Sequence, residues 1–92
     1  MPLRFVRRVD GLTYEFEREA DPVYGHPSFR RVDAELYCRR LPEFGWCVVD
    51  SVRTVTSRPF DDAGVGDLPP EGAWVSRKGN GSYVYDLHRL PD

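Results

Sequence analysis

The chain has 92 residues, of which 40% are hydrophobic and 30% charged. Those proportions describe one small globular domain, too apolar to stay disordered and too charged to sit in lipid. The net charge of −2 argues against a dedicated nucleic-acid binder, which carries a basic surplus.

Leu3–Val9 and Leu12–Glu19 flank Asp10-Gly11. Asp-Gly between apolar runs predicts a type I′ hairpin, in which both turn residues take positive φ. The expected register pairs Val9 with Leu12, Arg7 with Tyr14 and Phe5 with Phe16. One face is then apolar, and the other sets Arg4 against Glu17.

Residues 20–28 hold two prolines and a glycine and read as a loop. Residues 29–41 fit two templates. As a helix, Ser28 is the N-cap and Pro42 the stop. As a strand, Val32, Ala34, Leu36 and Cys38 alternate with Arg31, Asp33, Glu35, Tyr37 and Arg39, and this period of two decides for a strand.

Pro42-Glu43-Phe44-Gly45 predicts a four-residue loop on a type I turn, with Gly45 in the left-handed position. Trp46–Thr56, rich in Val and Thr, follows as a strand. Residues 57–72, with Pro59, Gly64, Gly66 and Pro69-Pro70, read as a long loop, a length that is uncommon in a small domain unless it serves a function. Ala73–Lys78 and Ser82–Leu90 form the last hairpin. A turn at Gly79-Asn80 pairs Trp74 with Tyr85 and Val75 with Val84, matching apolar side chains on both faces.

The fold expected is therefore mainly β, a single small domain over 1–92. It has about six antiparallel strands in three hairpins, as a curved sheet or partly open barrel, with the long loop at 57–72. The alternative is an α+β fold with one helix at 28–41 packed on an antiparallel sheet.

No constellation for chemistry emerges. His26, Cys38, Cys47 and His88 lack the short spacings of zinc sites, so no metal site and no cofactor is expected. Neither cysteine has a nucleophile motif around it; both lie in apolar strands and are expected as buried, reduced thiols. They flank the Pro42–Gly45 turn, a position from which they could face each other across the hairpin. Glu15, Glu17 and Glu19 share a strand face that arginine neutralises. Asp61, Asp62, Asp67 and Glu71 do not follow a calcium-loop spacing. Gly64-Val65-Gly66 and Gly79-Asn80-Gly81 lack the context of a phosphate cradle. Arg7, Arg8, Arg30, Arg31, Arg39 and Arg40, with Tyr14 and Tyr37, suit a stacking surface for nucleic acid in residue type, but acids are interspersed along the same strands.

What remains is the aromatic and arginine content. The leading expectation is a non-enzymatic interaction module. It self-associates as a homodimer or docks on another protein through exposed aromatic and arginine side chains, with Trp74 and Arg58 as anchors. The alternative is a small-molecule-binding protein whose concave sheet is lined by Trp46, Tyr83, Tyr85 and His88. A cavity over those residues favours the second reading and a flat aromatic patch the first. No apolar run approaches the ~20 residues of a membrane-spanning helix, and residues 1–8 lack the apolar stretch of a secretion signal. A cytoplasmic protein without a membrane partner is the expectation.

Overall fold

The computed structural model describes residues 1–91, without the side chain of Lys78. Its eight strands are β1 (Leu3–Arg7), β2 (Thr13–Arg18), β3 (Phe29–Arg31), β4 (Leu36–Leu41), β5 (Gly45–Asp50), β6 (Val55–Pro59), β7 (Gly72–Lys78) and β8 (Gly81–Arg89). Each strand pairs antiparallel with its neighbours in sequence, and β1 pairs with β8 to close a barrel. There is no helix among the described residues. The fold is mainly β and antiparallel, as the alternation predicts, but closed rather than partly open.

One additional strand comes from a turn inside the predicted strand over 29–41; the other, β6, joins the end of Trp46–Thr56 to residues 57–59 of the segment expected as loop, which shortens that loop to 60–71. A strand over 29–41 would run about 43 Å at ~3.3 Å per residue, longer than the 33 Å greatest extent of the molecule. The chain turns at Val32–Glu35 instead, and Arg31 pairs there with Asp33. That region is thus two strands joined by a turn, neither the helix at 28–41 nor one continuous strand. Trp46–Thr56 breaks likewise: Asp50 Oδ1 accepts from the amides of Val52 (3.0 Å) and Thr54 (2.9 Å). Arg53 takes φ 64° in this turn. This Asp-nucleated turn is a local competitor of strand extension.

The first hairpin keeps its predicted faces but shifts by two residues, pairing Phe5 with Tyr14 and Leu3 with Phe16. Only Gly11 of the Asp10-Gly11 pair has positive φ, so the turn is not type I′. The Asp10 carboxylate accepts from Leu12 N at 3.1 Å and pairs with Arg7 at 2.6 Å, which holds a wider turn. Arg4 consequently pairs with Glu15 rather than Glu17. Val9 and Leu12, placed on the apolar face by the sequence, lie exposed in the loop. The last hairpin has the predicted register, Trp74 with Tyr85 and Val75 with Val84. Gly45 takes φ 73° after the Pro42 turn, as its position requires.

Up-and-down winding sorts the connections into two ends. The β1–β2, β3–β4, β5–β6 and β7–β8 turns form one end, here termed the mouth. The termini and the other three connections form the base. Inside lie Leu3, Phe5, Phe16, Phe29, Cys38, Trp46, Val48, Trp74, Tyr85 and Leu87. The 60–71 loop lies over the base and satisfies the indole donors of the core: Trp46 Nε1 donates to Gly66 O at 2.8 Å and Trp74 Nε1 to Pro70 O at 2.9 Å. A smaller cluster, Leu41, Cys47 and Val49, forms separately, with Tyr37 and Val55 packed on it.

Candidate ligand-binding site in the barrel mouth

Because the base is filled by the two indoles, the space left inside the barrel lies toward the mouth. A cavity of about 180 Å³ occupies it. Phe5, Phe16 and Val48, all buried, belong to its lining, with Tyr14, Leu36 and Tyr85. These positions alternate inward along β1, β2, β4, β5 and β8, so the period-two pattern of each strand aims an apolar side chain at the same space. The aromatic rings brace one another. Phe5 stands 5.1 Å from Phe16, and Tyr14 stands 5.9 Å from Tyr85, centroid to centroid.

Polar groups enter at defined places. Arg31 stacks over the Tyr14 ring at 3.9 Å while its fork pairs with Asp33. Ser57 and Ser76 face each other across β6 and β7. The Ser57 hydroxyl donates to Val75 O at 3.2 Å, and the Thr56 hydroxyl to Val48 O at 3.2 Å. Ser76 makes no side-chain hydrogen bond to the described residues, and its Oγ is not sealed from solvent. It is therefore a free donor and acceptor in the cavity lining. Burial raises the Tyr85 phenol above its ordinary pKa, against the pull of a hydrogen bond with Arg7, so the phenol is neutral at physiological pH.

The residues singled out in the sequence scatter. Trp74, expected as a surface anchor, is completely buried; Trp46, expected in a concave lining, is completely buried as well and does not line the cavity. Large aromatics are the best filling for the closed end, and each finds its acceptor in the base loop. Tyr85 does line the cavity. Tyr83 is half-buried beneath Arg7, whose guanidinium lies 5.0 Å from the ring. His88 is exposed on β8, opposite Arg4 of β1 and away from the cavity lining. Arg58 is exposed near the base and lies 5.7 Å from the Phe44 ring.

Phe5, Phe16, Leu36, Val48, Arg31, Ser57 and Ser76 were not legible as site residues. Only Ser76 left a signal, a small polar side chain two residues from Trp74 on the inward face of β7.

Cys38 pairs with Val48 and Cys47 with Arg39 in the β4–β5 ladder. Cys38 points into the barrel core and Cys47 into the outer cluster, so the thiols lie on opposite faces and do not face each other. Burial pushes the Cys38 thiol well above its ordinary pKa and Cys47 to about 11, which leaves both as poor nucleophiles. Glu15 pairs with Arg4, and Glu19 with Arg39 and Ser28. Among the described residues, no group of three or more His, Cys, Asp or Glu is placed to hold a metal ion.

Comparison with known proteins finds no matching family model, no matching curated protein and no matching solved structure.

Proposed function

We propose that the protein binds a small, mostly apolar organic molecule in the mouth of its barrel and does no chemistry on it. The observation that carries this reading is the 180 Å³ cavity with apolar walls and a few placed polar groups. Ligand sites are concave, largely apolar and marked by a few convergent polar groups. An apolar cavity of about 150 Å³ accepts a benzene ring, so the ligand scale here is one ring or a short branched chain. The free Ser76 hydroxyl suits one hydroxyl, carbonyl or amine on that ligand.

Titration of the protein with phenol and with indole, followed by two-dimensional NMR, tests the proposal. Saturable shifts at Val48, Ser57, Ser76 and Tyr85 are expected for at least one of them. Ser76→Phe, which fills the cavity, should abolish the shifts while leaving the protein folded. Silence of those resonances toward both probes would sink the reading.

A protein partner is the second reading, and one observation favours it. Val9 (74% exposed), Val32 (57%) and Val52 (77%) stand out at the tips of three mouth turns. Such a partner would meet these turns rather than a sheet edge, because every strand of the closed barrel has two neighbours. On this second reading a dimer seen by light scattering should revert to monomer in Val9→Ser/Val32→Ser/Val52→Ser; a wild-type monomer would remove self-association.

A further inference from the structure

The base of the barrel carries a second concavity, of about 260 Å³. Tyr24 and His26 of the β2–β3 connection line it with Arg40 of β4, Leu41, Pro42 and Val65. The connection is folded by a two-residue turn at Tyr24-Gly25. Val23 N donates to His26 O at 2.9 Å, and His26 N donates to Val23 O at 3.2 Å. Both central residues have positive φ, 53° for Tyr24 and 78° for Gly25. A tyrosine in that region is costly and persists only where its surroundings impose it.

Arg40 is the unusual group. An Nη1 of its guanidinium lies 2.8 Å from His26 Nε2. Arginine only donates, so Nε2 is the acceptor in this contact. The other half-buried arginines, Arg4, Arg7, Arg31 and Arg39, each pair with a carboxylate. Among the described residues Arg40 has no acidic partner, and its charge is uncompensated. Its remaining donors have no protein acceptor, yet none is sealed from solvent. They are open to whatever occupies the cleft.

We propose that this base cleft binds a small organic oxyanion, a carboxylate or phosphate monoester. The planar fork of Arg40 suits two parallel hydrogen bonds to such a group. Leu41, Pro42 and Val65 would receive its apolar body, and Tyr24 offers a ring beside the charged end. This site is independent of the mouth cavity: it lies at the opposite end, and the two share no lining residue.

The test is NMR titration of the full chain with benzoate and with phenyl phosphate, with sulfate as the plain-ion control. Saturable shifts are expected at Tyr24, Gly25, His26, Leu41 and the Arg40 side chain, with sulfate weaker than both organic probes. The stronger of the two probes identifies which oxyanion the cleft prefers. Arg40→Gln should weaken binding by roughly tenfold or more, the value of a charge-assisted hydrogen bond, whereas Arg58→Gln at the exposed surface should not. Arg40→Lys keeps the charge but loses the fork, so it should also weaken binding; it serves if the glutamine variant fails to fold. The proposal is overturned if neither probe gives saturable shifts. It also falls if sulfate matches them, or if Arg58→Gln weakens binding as much as the Arg40 variants.

Discussion

At the scale of single residues, the barrel is governed by a few places where backbone meets backbone. Gly45 shows this most clearly. It ends the Pro42 turn at φ 73°, and a Cβ built on it would stand 2.5 Å from Gly64 O. Gly64 O accepts from Trp46 N at 2.9 Å, so the approach fixes the base loop on the strand that carries Trp46. Gly79 has φ 59° with nothing within 4 Å of its virtual Cβ. Gly79→Ala therefore loses only the left-handed preference, about 1–2 kcal/mol. Gly45→Ala loses that and also displaces the loop, so it should destabilise by about 1 kcal/mol more, in line with the typical cost of overpacking. Urea unfolding of both variants checks this, and equal losses would show that the Gly45–Gly64 approach carries no weight. The left-handed role of Gly45 was legible from Pro-x-x-Gly; the loop that leans on it was not, because Gly64 lies 19 positions further along the chain.

At the scale of elements, legibility followed locality. The last hairpin was read to the residue: its turn is two residues long, and only one register matches apolar side chains on both faces. The first hairpin kept its faces but slipped by two, a shift that preserves alternation and is therefore invisible to it. What decided was the Asp10 side chain, which bonds Leu12 N and Arg7 in place of a tight turn. The turns at Val32–Glu35 and after Asp50 were missed for a related reason. Val32 and Ala34 carry the even-numbered apolar pattern of Leu36 and Cys38 back through the turn itself, while the inward residues of β3, Phe29 and Arg31, fall on odd positions, so the pattern hides the turn. Asp50-Ser51 was the one available signal for the second, a short polar pair whose carboxylate caps two amides.

The candidate site divides along the same lines. Tyr85 was expected in a concave lining and is there. Its partners come from all seven other strands, and no local pattern brings Tyr14, Leu36, Val48 and Ser76 together.

At the scale of the whole molecule, ion pairs decorate an apolar-cored barrel and set its response to acid. Asp10 is pulled down to about 2 by the hydrogen bonds from Arg7. Asp33 and Asp86 are lowered by Arg31 and Arg8. Burial pushes Glu19 upward, but Ser28 and Arg39 outweigh it and hold its pKa below the ordinary value. Each folded pKa lies below its unfolded counterpart near ~4. The stability these groups contribute is present above that range and lost as pH falls through the folded values. The melting temperature should thus be flat above about pH 5 and decline between about pH 4 and 2. Calorimetry across that interval checks it; an unchanged melting temperature down to pH 2 would show that these carboxylates do not favour the folded state. The aspartate pairs keep at least one partner exposed and the Glu19–Arg39 pair is part-buried, so each contributes little by itself.

The sequence by itself determined what depends on near neighbours: a mainly β antiparallel chain, the faces of the first hairpin, the left-handed Gly45 and Gly79 turns, and the last register. Those follow from side-chain alternation and from φ values only certain residues accept, both of which act within a few residues. Only the tertiary structure decided the closure of β1 on β8, the filling of the base by Trp46 and Trp74, and the emptiness of the mouth. The solitary charge of Arg40 is also a tertiary fact. Closure depends on strand tilt and on accumulated twist, and a cavity is what remains when eight strands have placed their side chains. Neither quantity is written in any one segment of the chain.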